Sequence, residues 1–359
     1  MGIKQLAKLI KSNCPSAVKT REFKFFSGSK IAIDASMCIY QFLIAVRSDG
    51  QNMSWGDSTT SHLIGLFYRT IRIIEAGITP VYVFDGKAPA SKVHELAKRS
   101  KRRREADAKL KEAQEKEDKE LIEKYSRMKV KIEQTHIDDC QQLLKLLRIP
   151  YVTAPSEAEA FCAYLNKEKL VDGVATEDMD TLCFGTPILL RNFNASQAKK
   201  LFIEEYSLST ILKELQLKMN EFIDLCILLG SDFCGTLKGI GPKRALALIN
   251  EHRTIDIILK ENPNMEILGE NFDYEKAREI FNTLSNKEIN QELSLEAISN
   301  ISKLKVDFNE IAVEPVVEYL VDEKGFDKIR VTNGVNKILA MKNKGKQMKL
   351  EQFFKKTNK

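Results

Sequence analysis

Between residues 30 and 191 the chain alternates short β-branched runs with amphipathic segments, and this alternation restricts the fold more than any other feature of its 359 residues. The run K-I-A-I-D ends at Asp34 and leads into A-S-M-C-I-Y-Q-F-L-I-A-V, whose apolar residues recur at helical spacing. A second helical segment over 61–76 passes through Gly77 into V-Y-V-F, which runs up to Asp85-Gly86. Helical segments over 137–147 and 158–166, with short strands over 149–152, 173–176 and 187–191, continue the pattern. Parallel strands need crossovers of this kind, so the expected fold is α/β, a mostly parallel twisted sheet flanked by helices.

In open α/β sheets ligands bind beyond the carboxyl ends of the strands, and Asp34, Asp85 and the pair Asp178/Asp180 all fall there. A further pair, Glu157/Glu159, opens the segment 158–166. Each pair also has a plain structural explanation. Ser156 to Glu159 reads S-x-x-E, a capping box, and Asp178-Met179-Asp180 reads as a solvated turn. Two carboxylates ~4 Å apart at an effective dielectric near ~20 repel by about 4 kcal/mol, so a convergent group needs a counter-charge. Oxygen donors without His or Cys select hard divalent cations, Mg²⁺ or Mn²⁺, which activate water and neutralise charge on a phosphodiester. A D-x-D-x-T phosphatase motif fails because Ala35-Ser36 follows Asp34, and an EF-hand starting at Asp178 fails because Leu189 stands where Glu is needed.

Other chemistries find little support. The four histidines, His62, His94, His136 and His252, lack metal-ligand spacing, and the seven cysteines include no C-x-x-C, as expected of reduced thiols in an intracellular protein. No apolar run approaches the ~20 residues of a membrane span, and no secretory signal opens the chain, so a membrane or secreted protein is not expected. The net charge of +6 is modest but clustered: Lys92, Lys98, Arg99, Lys101, Arg102, Arg103 and Arg104 follow soon after Asp85. Lys92, Arg99 and Arg103 recur at seven and four residues on one helical face, suited to a nucleic-acid backbone, although an exposed helix or a nuclear-localisation patch has the same composition. Further on, Asp232 stands in a G-S-D turn, and G-I-G-P-K-R places Gly239 and Gly241 at a helix start followed by Lys243 and Arg244, a phosphate-binding helix-hairpin-helix pattern. The lysine-rich tail contains Q-x-x-L-x-x-F-F, formed by Gln347, Leu350, Phe353 and Phe354.

Taken in order, M-G-I, I-A-I-D-A-S, V-Y-V-F-D-G-K, E-L-A-K-R-S, A-P-S-E-A-E-A, A-T-E-D-M-D, L-G-S-D, G-I-G-P-K-R and Q-x-x-L-x-x-F-F resemble the flap endonucleases, structure-specific 5′ nucleases of eukaryotic replication and repair. The resemblance implies a helical arch insertion and a helix-hairpin-helix DNA-binding motif on the α/β fold. It implies two Mg²⁺ ions, replaceable by Mn²⁺, on Asp34, Asp85, Glu157, Glu159, Asp178, Asp180 and Asp232, with Lys92, Arg99 and Asp180 in catalytic roles. DNA contacts carry over onto Gly2, Tyr40, Arg47, Arg69, Arg103, Glu157, Gly230, Asp232, Gly239, Gly241, Lys243 and Arg244. A monovalent cation, K⁺, carries over onto Thr236, Leu237 and Ile240. Gln347, Leu350, Phe353 and Phe354 match the box that binds the trimeric sliding clamp, proliferating cell nuclear antigen. The implied substrate is branched 5′ flap DNA, and the implied protein is a nuclear monomer that needs no membrane. A related repair or exonuclease branch, or a catalytically silent junction binder, is the alternative. The expected regions are 1–105 and 134–254 for the nuclease, with the arch from near 87 to 133 and the hairpin motif at 220–250. Residues 255–335 form a helical part of the core, and 336–359 a tail carrying the clamp box at 347–354. Departures from the family pattern are Ala88, Phe233 and a basic extension reduced to 355–359.

Overall fold

The computed structural model describes residues 2–48, 51–55, 58–86, 93–195, 201–268, 272–283 and 306–343. Its strands are β1 (Val18–Arg21), β2 (Lys30–Asp34), β3 (Arg47–Ser48), β4 (Gln51–Asn52), β5 (Ser54–Trp55), β6 (Ser58–Thr59), β7 (Thr79–Phe84), β8 (Tyr151–Thr153), β9 (Gly173–Ala175), β10 (Ile188–Arg191), β11 (Ile203–Ser207), β12 (Thr236–Leu237) and β13 (Ile267–Leu268). The helices that matter are α1 (Leu6–Asn13), α2 (Ala35–Ala45), α3 (Ser61–Glu75), α4 (Val93–Glu115), α5 (Lys119–Met128), α6 (Gln134–Leu146), α7 (Ala158–Lys167), α8 (Leu208–Leu215), α9 (Met219–Leu229), α10 (Pro242–His252), α11 (Ile255–Glu261), α12 (Tyr274–Thr283) and a closing helix, Lys328–Ala340. Among the described residues no helix is long and apolar enough to cross a membrane. The chain forms two compact units, one of residues 1–21, 85–95 and 153–302, the other of 22–84, 96–152 and 303–359.

In the first unit the strands run in the order β1-β11-β10-β9. β9 and β10 are parallel, as the alternation requires, with Val174 opposite Leu189. β11 is antiparallel to both β10 and β1, with Ser207 opposite Ile188 and Tyr206 opposite Val18. These antiparallel pairs come from two short strands whose half-polar sequences, V-K-T-R and I-E-E-Y-S, carry no fully apolar run to mark them. The core gathers Leu6, Leu9 and Ile10 of α1, spaced i, i+3 and i+4, around α9, which is buried from Phe222 to Leu229. One acid interrupts that buried helix. Asp224 accepts two hydrogen bonds of 2.6 Å from Arg278 on α12 and one of 3.0 Å from the Ile255 amide on α11, and Arg278 also donates to Asp256 at 2.7 Å. Removing Arg278 would strand a buried carboxylate, a loss of about 3–5 kcal/mol, so the pairing locks the three helices in register. The lone acid in F-I-D-L-C-I-L-L was the available sequence signal for it.

In the second unit the order is β2-β7-β8, and β2 runs parallel to β7 with Lys30 opposite Thr79 and Asp34 opposite Val83. Ile31, Ile33, Val81 and Val83 are buried beneath α2 and α3, against which α6 packs in turn. The closing helix crosses α3 at Gly334, where a β-carbon would come within 2.7–2.8 Å of Phe67 and Ile71, so only glycine allows that approach. His62, fully buried on α3, lies 3.3 Å through Nε2 from Asp139 on α6, whose carboxylate also accepts from Lys324 at 2.7 Å and Tyr319 at 3.0 Å. Among its described side chains α4 buries only Ala106 and Ala113, and α5 buries none. They meet through Lys129 with Asp107 and through Lys109, 6.0 Å from the Tyr125 ring, polar contacts that leave this pair at the low-stability end of the fold.

Candidate active site

Six of the seven predicted acids belong to the first unit, and the local structure explains how each is held. The Gly86 amide donates to the Ser156 carbonyl at 2.7 Å, and a β-carbon at Gly86 would overlap the Ala154 carbonyl, so glycine permits the close approach of the two segments. This fixes Asp85, whose Oδ1 accepts from the Ala158 amide at 2.9 Å at the start of α7. The alternative reading of S-x-x-E as a capping box at Ser156 is not met: Glu157 is the N-cap residue and its side chain makes no cap bond. Glu157 is 5% exposed, and Glu159 sits half-buried in the first turn of α7, where the helix dipole favours a negative charge.

Asp178 and Asp180 are 4% and 2% exposed, so the alternative of a solvated turn fails and the pair is buried. Asp178 caps a short 3-10 turn, Met179–Leu182, accepting from the Asp180 amide at 3.2 Å, while its own amide donates to Thr176 Oγ1 at 3.2 Å. Gly2, at φ +77°, lies so close that any β-carbon there would overlap Asp178 Oδ1 and crowd Asp180 Oδ1. Asp180 Oδ1 is buried and has no hydrogen-bond partner. Burial, and then the negative charge of Asp178 with lesser contributions from Cys183 and Asp232, pushes the Asp180 carboxyl well above its ordinary value, against a hydrogen bond from the Ile3 amide. Asp232 is therefore within electrostatic reach of Asp180.

These donors fit a hard divalent cation: they are oxygens alone, and a cation would satisfy the orphaned Asp180 oxygen and offset the repulsion that raises its pKa. Among the described residues no three His, Cys, Asp or Glu side chains lie close enough together to hold a metal ion. The seventh acid, Asp34, belongs to the second unit, is 3% exposed, and caps α2 by accepting from the Met37 amide at 2.9 Å.

The hairpin follows in the same unit as the six acids. α9 ends at Gly230, φ +104°, and β12 pairs with β13, placing Thr236 opposite Leu268 and Leu237 opposite Ile267. Gly239 takes φ +73° with Arg244 Nη1 3.5 Å from its carbonyl oxygen, Gly241 caps α10, and Pro242 occupies the first helical position. Lys243 and Arg244 are exposed, Thr236 and Ile240 half-buried, and Leu237 buried. In the second unit Tyr40 is half-buried on α2, which leaves part of its ring accessible, and the backbone of Arg47 lies in β3. Burial, and then the charge of Arg72, lowers Arg69 on α3 to about 10. Arg99 and Arg103 share the half-buried side of α4, whereas Lys101, Arg102 and Arg104 are exposed. Lys92, Gln347, Leu350, Phe353 and Phe354 lie outside the described residues.

The XPG N-terminal domain matches residues 1–106 and the XPG I-region residues 148–232. Flap endonuclease 1 of Enterocytozoon bieneusi is 52% identical over 360 residues, spanning 99% of each chain. The chain belongs to the flap endonuclease family. Divalent-metal dependence is a property of flap endonucleases, in agreement with the oxygen-only donor set above. Among solved structures, flap endonuclease-1 from Methanococcus jannaschii superposes with a TM-score of 0.68 at 32% identity, covering 91% of this chain and 97% of that one. The catalytic core of Rad2 in complex with DNA substrate gives 0.63 at 25% identity, covering 94% and 100%. Both share the mostly parallel twisted sheet flanked by helices.

Proposed function

We propose that the protein is a structure-specific nuclease that cuts 5′ flaps at single-strand/duplex DNA junctions, with weaker 5′-3′ exonuclease activity, in Okazaki-fragment maturation and long-patch base excision repair. The observation that carries this reading is the buried Asp178/Asp180 pair, wedged by Gly2 and left with one unsatisfied oxygen, in a chain similar over its full length to flap endonuclease 1. Asp85, Glu157, Glu159, Asp178, Asp180 and Asp232 would hold two Mg²⁺ ions, or Mn²⁺ in their place. Bound there, the ions supply activated water and neutralise charge on the phosphodiester.

The remaining roles fall to residues that grip DNA. Gly239 and Gly241 keep the start of α10 clear of side chains, so its backbone N–H groups meet a phosphate, and Lys243 and Arg244 add charge. Thr236, Leu237 and Ile240 offer oxygens to K⁺ beside that phosphate. Tyr40 stacks on a base, Arg47, Arg69 and Arg103 contact the backbone, and Lys92 and Arg99 stabilise the negative charge that develops on the phosphate. Gln347, Leu350, Phe353 and Phe354 dock the protein, a nuclear monomer, on the sliding clamp. The Rad2 core was solved with a DNA substrate, which supports a DNA ligand for this related fold.

The test uses labelled 5′-flap and 3′-flap duplexes with Mg²⁺ and with EDTA. Cleavage of the 5′ flap in Mg²⁺ alone is expected. Cleavage of the 3′ flap, or cleavage in EDTA, sinks the reading, and an intact but tightly bound 5′ flap in Mg²⁺ converts it to a silent junction binder.

A further inference from the structure

Lys4 is absent from the acids and the hairpin described above, yet it leans on the supports of both. It follows Gly2, whose backbone is pressed against Asp178 and Asp180, by two residues. Its amide donates to the Gly230 carbonyl at 3.4 Å. Its side chain then runs over Gly230: Cδ and Nζ lie 3.5 and 3.7 Å from the point a β-carbon would occupy, and the Thr236 methyl lies 2.9 Å from the same point. At φ +104° Gly230 holds a conformation that disfavours any side chain, so the shelf under the lysine stem is permanent.

The stem is supported while the head stays available. Lys4 is exposed, and among the described residues its ammonium has no carboxylate within ion-pair distance, whereas Lys11 on the following helix is paired with Glu204 at 2.6 Å. Two residues after Gly2, which abuts Asp178 and Asp180, the head of Lys4 stands over Gly230 beside Thr236, where the chain enters the glycine-rich hairpin.

We propose that Lys4 is a DNA-binding residue whose ammonium holds one backbone phosphate of the flap substrate between the acidic pair and the hairpin. This rests on the nuclease reading above and adds a contact to it. Lysine suits the position because it supplies a point charge on an apolar stem, and the stem is what Gly230 supports.

The experiment measures binding of a 5′-flap duplex in EDTA, so that cleavage does not enter, over a range of salt for the unmodified protein, Lys4→Ala, Lys4→Arg and Lys19→Ala. Lys19 is an exposed lysine on β1 and controls for the loss of one charge elsewhere. Lys4→Ala should bind several-fold more weakly at ~0.1 M salt and reduce the slope of log K against log salt by about 0.9, one phosphate contact. Lys4→Arg should keep the slope, and Lys19→Ala should match the unmodified protein. Equal slopes for Lys4→Ala and the unmodified protein, or a lost slope in Lys4→Arg, overturn the proposal. If the unmodified protein cuts the flap in Mg²⁺ while Lys4→Ala keeps the full slope, the Lys4 contact alone is wrong. If the unmodified protein fails to bind the flap, the nuclease reading falls with it.

Discussion

A single carboxylate shows how burial and function pull against each other. Asp180 is 2% exposed, carries an oxygen with no hydrogen bond, and has its pKa raised first by burial and then by Asp178. A carboxyl whose folded pKa is raised stabilises the fold below its unfolded pKa of about 4, and that contribution is lost as pH rises through the folded value. At neutral pH without cations the acid is therefore a liability, so Asp180→Asn should raise the melting temperature in EDTA at pH ~7. Adding Mg²⁺ should raise the melting temperature of the unmodified protein, because a ligand of the folded state alone stabilises it, and should raise that of Asp180→Asn much less. Cleavage by the variant should fall on the order of 10³-fold, about 4 kcal/mol of transition-state stabilisation, while flap binding in EDTA is kept. A variant that melts lower in EDTA, or that cuts at near-normal rate, would show Asp180 to be an ordinary turn residue. The sequence placed this acid at a strand end but could not distinguish a solvated turn from a buried pair, because burial depends on Gly2, far away in the chain.

α6 carries an acid-sensitive start. His136 Nδ1 accepts from the Glu133 amide at 3.0 Å, closing the cap of the helix, and its ring centroid lies 4.8 Å from that of the buried His62. Burial, and then the neighbouring His62, lowers the His136 pKa, against the attraction of Glu133 and Asp139. For a base with a lowered folded pKa the unfolded chain binds the proton first. Stability is therefore complete above about pH 6.5 and declines as pH falls toward the folded value. Protonation at Nδ1 also removes the acceptor that completes the cap. Asp139 behaves differently: burial raises it, but hydrogen bonds from His62, Lys324 and Tyr319 outweigh burial and hold it at about 2, so it stays charged across this range. His136→Gln, which keeps an acceptor without the titration, should flatten the loss of urea midpoint between pH ~6.5 and ~5. An unchanged decline would assign the acid sensitivity to other groups. The helical periodicity over 137–147 located this helix, but its start at Gln134 depends on a histidine acceptor that no capping pattern lists.

For the molecule as a whole, legibility followed the strength of local patterning. The parallel strands β2, β7, β9 and β10 each ended or ran within a residue or so of where apolar runs placed them, because a buried strand must be apolar on both faces. β1 and β11 lie antiparallel with adjacent polar residues, Lys19-Thr20 and Glu204-Glu205, on both faces, and nothing in V-K-T-R or I-E-E-Y-S demands a strand until its neighbour exists. The Asp224–Arg278 lock and the Lys4 shelf join residues far apart in the chain, and pairwise contacts of that kind are set by the fold. The tail rests on sequence alone. If the segment makes a helical turn on binding, Leu350, Phe353 and Phe354 at i, i+3 and i+4 would project together, and Gln347 would be placed to hydrogen-bond a partner's backbone. The lysines on either side, within 342–349 and 355–359, suit burial against the protein's own core poorly, so the two phenylalanines are better matched to a groove on a partner. Deleting 347–359, or replacing Phe353 and Phe354 by Ala, should abolish sliding-clamp binding in calorimetry and clamp-stimulated cleavage while basal flap cleavage stays within about twofold. Undiminished clamp affinity after the deletion would refute the docking role, and a large fall in basal cleavage would mean that the tail packs on the nuclease instead.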